Sequence, residues 1–69
     1  MQEIINTLEN KKRLYKSNVL VLIIENVQKS LINNGLQTTK NAVLFQANSL
    51  NSVLEADLYY LFNDIKKLF

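Results

Sequence analysis

The sequence predicts an all-helical fold, an antiparallel hairpin of two long α-helices that forms a single domain over residues 1–69. The chain has no proline, its one glycine stands near the midpoint, and apolar residues recur at helical spacing in both halves. Gly35 follows Asn33 and Asn34, and residues of these types commonly close a helix. We therefore expect one helix before this point and a second helix after it.

The first helix is predicted over about residues 2–33. Its apolar face is broad, because apolar side chains cover more than half of the circumference between residues 19 and 31. Ser17 and Asn18 offer an alternative, since both residue types favour helix caps over helix interiors. A break near Ser17 would let the first segment fold back and form a self-contained three-helix bundle.

The second helix is predicted over about residues 39–68, with Thr38 or Thr39 as its cap. Its apolar residues form one narrow stripe at a spacing of three and four. The stripe contains Val43, Ala47, Leu50, Leu54, Leu58, Leu61, Ile65 and Leu68. Such a stripe is typical of a helix that packs along one neighbour.

A hairpin of this kind carries more apolar surface than its two helices can cover. Each helix has one neighbour, which hides roughly a third of its surface, and uncovered apolar patches usually mark interaction surfaces. Chains this short commonly need a disulfide, a metal or a partner for stability. Because the chain has no Cys and no His, a disulfide is excluded and a zinc site is disfavoured. We therefore expect the hairpin to complete a helical bundle with a partner chain.

The residues that carry most enzymatic chemistry are missing. Without His or Cys the common nucleophilic triads cannot form, and no glycine-rich phosphate loop is present. Glu55 and Asp57 are two residues apart, so on a helix they point to different sides and do not form a carboxylate pair. We expect a protein that is not an enzyme and that uses no cofactor and no metal.

Basic residues gather at the predicted open end of the hairpin, where Lys66 and Lys67 would lie beside the cluster at residues 11–16. They could contact phosphates or an acidic partner. The favoured interpretation is that Lys66 and Lys67 complement a helix C-terminus and that residues 11–16 form a solvated segment. The net charge of +2 is too small to indicate nucleic acid by itself.

The longest apolar run, residues 19–24, is far shorter than the roughly 20 residues that cross a bilayer. The first residues lack the basic start and the cleavage site of a signal peptide. We therefore expect a cytoplasmic location and no membrane contact.

The order of elements resembles that of a known family. An apolar helix ends in residues 28–35, Gln-Lys-Ser-Leu-Ile-Asn-Asn-Gly, and an aromatic-glutamine step follows at Phe45 and Gln46. A second amphipathic segment then leads to Tyr59 and Tyr60. Over about residues 20–60 this pattern is similar to the YscE/PscE/EscE-type co-chaperones of type III secretion systems, which are small helical hairpins.

The resemblance implies a function and a contact surface. Such a protein pairs with a tetratricopeptide-like chaperone in the cytoplasm, and together they keep the needle subunit monomeric before export. By carry-over, the partner-binding residues are expected to be Leu20, Ile24, Leu50, Val53, Leu54 and Tyr60.

Three other functions remain compatible with the same apolar surplus. One is a homodimeric four-helix bundle that acts as an RNA- or DNA-associated regulator. Such a protein would bind nucleic acid with an affinity that depends on salt. Another is an immunity or inhibitor protein that blocks a toxin. A Hha-like modulator is the third, suggested by residues 42–45 ahead of a long helix.

Overall fold

The computed structural model describes residues 1–69 and contains four α-helices and no strand. The helices are α1 (Gln2–Lys12), α2 (Asn18–Asn34), α3 (Leu36–Ser49) and α4 (Ala56–Lys66). Each helix packs against the next one in the chain. The all-helical prediction is confirmed. None of the four helices combines the length and the apolar character that crossing a membrane requires.

The first predicted helix is broken where Ser17 and Asn18 indicated. Ser17 is the N-cap of α2, with extended backbone angles (φ −76°, ψ 124°), and its Oγ accepts a hydrogen bond from the Leu20 amide at 3.4 Å. This break lets α1 fold back on α2. Lys12 fastens the fold-back, because its Nζ lies 2.9 Å from Glu9 in α1 and 3.4 Å from Glu25 in α2.

The predicted turn at Gly35 is present and is one residue long. Gly35 adopts φ 88° and ψ 173°, a conformation that residues with a Cβ rarely reach. No atom lies within 4 Å of the position that a Cβ would occupy, so backbone conformation rather than crowding selects glycine here. Across the turn, the hydroxyls of Ser30 and Thr39 are 2.6 Å apart. This bond links α2 to α3, and the two helices are in contact beyond the turn.

The prediction of one continuous helix over residues 39–68 is wrong. Helix α3 begins earlier, at Leu36, and ends at Ser49, and α4 begins only at Ala56. Leu50 is extended (φ −84°, ψ 144°), and Asn51 then starts a short turn that leads into α4. The break returns α4 to the core, where Leu61 and Ile65 are fully buried.

One hydrophobic core is built from all four helices. It contains Leu8 of α1, four residues of α2, Val43 of α3, and two residues of α4. The members from α2 are Leu20, Ile24, Val27 and Leu31, and those from α4 are Leu61 and Ile65. Because several helices surround α2, most of its broad apolar face is covered within the chain. The expectation that each helix has only one neighbour therefore does not hold for α2.

Candidate protein-binding surface

Three of the six predicted partner-binding residues are exposed near the start of α4. Val53 is 82% exposed, Leu54 is 85% exposed and Tyr60 is 65% exposed. All three belong to the segment that connects α3 to α4 and to the first turns of α4. We call Val53, Leu54 and Tyr60 the α4-entry surface.

A reciprocal capping arrangement holds the turn that carries Val53 and Leu54. The Oδ1 atom of Asn51 accepts hydrogen bonds from the amides of both residues, each at 2.8 Å. In return, the Asn51 amide donates to Oε1 of Glu55 at 3.2 Å, and the Glu55 amide donates to the Asn51 carbonyl at 3.0 Å. These bonds satisfy the free amides of the turn in the manner of a helix cap. The two apolar side chains are therefore presented on a defined backbone.

Tyr60 is held beside a second aromatic ring. The rings of Tyr59 and Tyr60 meet edge to face, with centroids 5.5 Å apart and planes at 82°. Tyr59 is half-buried, whereas Tyr60 points outward. Next to them, the residues from Val53 to Leu58 line a shallow depression of about 350 Å³. The α4-entry surface thus combines two protruding aliphatic side chains, an outward phenol and a depression.

The other three predicted residues are not part of this surface. Leu20 is 9% exposed and Ile24 is fully buried, and both belong to the core of the chain itself. Leu50 is half-buried at the point where α3 ends. The family resemblance assigned Leu20 and Ile24 to a partner, and the predicted hairpin, in which each helix has a single neighbour, left them uncovered. The fold-back of α1 and the return of α4 cover them instead.

Several exposed apolar residues were not among the predicted contacts. They are large side chains on α2, on α3 and in the first connection. The set comprises Leu14, Val19, Leu22, Ile32, Leu36 and Phe45. Val19 and Leu22 are one turn apart on α2 and form the part of its wide apolar arc that the chain leaves uncovered. That arc was the signal that could have identified them.

A second concave feature lies between α2 and α3. This groove has a volume of about 270 Å³, and its apolar walls include Ile23, Val43 and Phe62. Ser30 and Thr39 also line it, and their hydroxyls bond to each other. No buried side-chain nitrogen or oxygen in the protein lacks a hydrogen-bond partner. The groove therefore offers shape but no unpaired polar group.

The charged residues near α1 are engaged in packing contacts. The hydrogen bond from Lys12, followed by one from Gln28, lowers the pKa of Glu9 below its ordinary value. The same bond to Glu9 raises the pKa of Lys12. Gln28 is buried, and its Nε2 also donates to the Ile5 carbonyl at 3.1 Å. Part of the predicted basic cluster thus fastens α1 to α2.

The first connection lies near the end of α4. Burial raises the pKa of the Tyr15 phenol, and the negative charge of Asp64 raises it further. Asp64 also lies 4.0 Å from Lys67. The two basic segments predicted at one end of the molecule therefore have acidic groups between and beside them.

No group of three or more acidic side chains could hold a metal ion. Glu55 and Asp57 are both exposed, and Glu55 is bonded to the Asn51 amide. Of the predicted partner-binding residues, those of the α4-entry surface are the ones that the chain leaves exposed. Comparison with protein-family models, with curated proteins and with solved structures found no match to this chain.

Proposed function

We propose that this protein is a small cytoplasmic co-chaperone that binds a helical partner through its α4-entry surface. The observation that carries the proposal is the exposure of Val53, Leu54 and Tyr60 in a chain that has a complete core of its own. An apolar patch outside the core is typical of an interaction site, whereas single exposed apolar residues are not. Val53 and Leu54 are adjacent and line one depression.

The energetics of this surface suit binding. Full burial of an aliphatic side chain such as Val53 or Leu54 contributes about 1.5–3 kcal/mol. Tyrosine is among the residue types that most often carry binding energy at interfaces. The hydrogen bonds of Asn51 hold the turn before any partner arrives, so less conformational freedom is lost on binding.

The resemblance of residues 20–60 to the YscE-type family supports a more specific role. We propose that the partner is a tetratricopeptide-like chaperone and that the pair keeps the needle subunit of a type III secretion system monomeric before export. A needle subunit polymerises through an amphipathic helix, and covering that helix prevents polymerisation. In this proposal, α4 and its entry complete a helical bundle with the partner chaperone.

The test is co-expression with the tetratricopeptide-like chaperone and the needle subunit encoded in the same genome. We expect a stable complex of one copy of each by size-exclusion chromatography with light scattering. Leu54→Ser and Tyr60→Ser should each weaken the complex by roughly tenfold or more, since about 1.4 kcal/mol corresponds to tenfold. The matched control is Phe45→Ser. Phe45 is 69% exposed, close to the 65% of Tyr60, but it lies on α3.

Two results would contradict the proposal. One is the absence of any complex with these partners. The other is a complex that tolerates loss of Leu54 and Tyr60 together but is lost in the Phe45 variant. Salt-dependent binding to nucleic acid, or tight binding to a toxin encoded by a neighbouring gene, would favour the corresponding alternative function instead.

A further inference from the structure

The connection between α3 and α4 contains Asn51 and Ser52, residue types that favour helix caps, but its apolar pattern is that of a continuous helix. Residues 50–55 read Leu-Asn-Ser-Val-Leu-Glu, with no glycine and no proline. The apolar stripe also continues through them, because Leu50 and Leu54 keep the spacing of three and four between Ala47 and Leu58. As a helix, this segment would place Leu50 and Leu54 in line with the buried residues of both α3 and α4. In the structure, Leu54 is almost fully exposed.

The two residues that bound the break, Leu50 and Glu55, depart from helical backbone angles. At Leu50 the value of φ (−84°) is close to that of a helix, and mainly ψ (144°) departs from it. At Glu55, φ is −126° and ψ is 43°. Between them, the amides of Val53 and Leu54 bond to the Asn51 side chain instead of to carbonyls one helical turn earlier. Residues 50–55 therefore have the properties of a hinge.

We propose that two copies of this chain exchange α4 by straightening this hinge. Helix α3, the hinge and α4 then form one helix over residues 36–66, about 45 Å long at 1.5 Å per residue. In this dimer, the core of each copy contains α4 from the other copy. Leu61 and Ile65 bury against the same core residues as before, but in the other molecule.

The balance between the two forms rests on the hinge, because the α4–core contacts are the same in both. The straight form gains regular helical hydrogen bonds at residues 50–55 and can pack Leu50 and Leu54 of the two copies together. The monomer keeps the Asn51 cap and avoids the loss of translational freedom. This exchange goes beyond the proposed function. In the dimer Leu54 is covered by the second copy, whereas in the monomer it is exposed and available to a partner protein.

Substitutions in the hinge should shift this balance in opposite directions. Asn51→Ala removes the cap of the turn and introduces a better helix former, and each dimer contains two hinges. We expect the dimer dissociation constant to fall on the order of 100-fold. Ser52 is exposed and its side chain makes no hydrogen bond. Ser52→Ala should lower the dissociation constant by roughly fivefold, and Ser52→Gly should raise it by a similar factor.

The experiment is sedimentation of the full chain and of the three variants from micromolar to millimolar concentration. Nuclear Overhauser effects in a mixture of isotope-labelled and unlabelled copies then identify the exchange. In the swapped dimer, contacts from Leu61 and Ile65 to Ile24 are intermolecular, and residues 50–55 show helical carbon shifts.

The inference is supported if both alanine variants dimerise more tightly with these intermolecular contacts and Ser52→Gly dimerises more weakly. It is overturned if both alanine variants stay monomeric at millimolar concentration. It is equally overturned if a dimer forms in which the contacts of α4 with Ile24 remain within one molecule. Because no partner protein takes part, failure here leaves the proposed function unaffected, and failure of that function leaves this inference unaffected.

Discussion

The two interruptions of the helical chain, residues 13–17 and residues 50–55, differ in what holds them. The first is tied to the rest of the protein, because Tyr15 packs against the core and Lys12 bridges to Glu25. The second is held almost entirely by itself, through the hydrogen bonds between Asn51 and its near neighbours. Its apolar side chains, Val53 and Leu54, point away from the core.

The breaks at residues 13–17 and at residues 50–55 have different structural roles. At residues 13–17 the break serves the core, because it returns α1 to cover α2. At residues 50–55 the break also returns a helix, but the connection itself remains apolar and uncovered. A connection that only joined two helices would be expected to be polar. The apolar character of the second connection is therefore the feature that calls for a functional explanation.

The largest effect should come from comparing two leucines on either side of the α4 start. Leu61→Ala removes a fully buried side chain and should lower the free energy of unfolding by about 2–5 kcal/mol. Leu54→Ala removes an exposed one and should change it by no more than about 0.5 kcal/mol. Denaturant unfolding followed by circular dichroism measures both. Equal losses would mean that Leu54 supports the core.

Tyr15 and Val53 make the same comparison within the connections themselves. Tyr15→Ala should cost about 1–2 kcal/mol of unfolding free energy, because the half-buried ring packs against the core cluster. Val53→Ala should be nearly neutral, since the side chain is exposed. Thermal unfolding at matched concentration provides the measurement. A neutral Tyr15 variant would show that the first connection is no better anchored than the second.

The capping residues sharpen the comparison further. Asn51→Ala loses two hydrogen bonds of 2.8 Å and should destabilise the monomer by about 1 kcal/mol or slightly more. Ser17→Ala loses one longer bond of 3.4 Å and should cost about 0.5–1 kcal/mol. Both are measured by denaturant unfolding at low micromolar concentration. The reverse order would indicate that the turn at Asn51 is held by something other than its side chain.

The smallest expected effect is on the titration of the Tyr15 phenol. Burial, aided by Asp64, raises the pKa of Tyr15, so the folded state favours the protonated phenol. This contribution to stability is complete below the pKa of the unfolded phenol and is lost as the pH rises through the folded-state value. In a Tyr59→Phe/Tyr60→Phe background, ultraviolet titration should give a midpoint above that of the denatured protein. Coinciding midpoints would show that the first connection leaves Tyr15 in water.

Local chemistry was sufficient to predict the all-helical class and the turn at Gly35, and it offered the break at Ser17 as an alternative to one continuous first helix. The turn depends on a glycine with positive φ, and the break depends on a capping hydroxyl. Both act within a few residues along the chain. Val53, Leu54 and Tyr60 were assigned to a partner by the family resemblance, whereas the helical spacing had placed Leu54 in the packing stripe of the second helix. The helical spacing therefore did not predict that Leu54 is exposed.

The break at residues 50–55 was missed because the apolar stripe runs through it without interruption, although Asn51 and Ser52 are residue types that favour helix caps, as Ser17 and Asn18 are. A straight helix there would carry Leu61 and Ile65 away from the core, and returning α4 buries both of them. Long-range packing of α4 therefore outweighs local helix propensity. The same packing covers Leu20 and Ile24 and leaves Leu54 outside, because burial depends on which helices meet in space and not on the spacing along one of them.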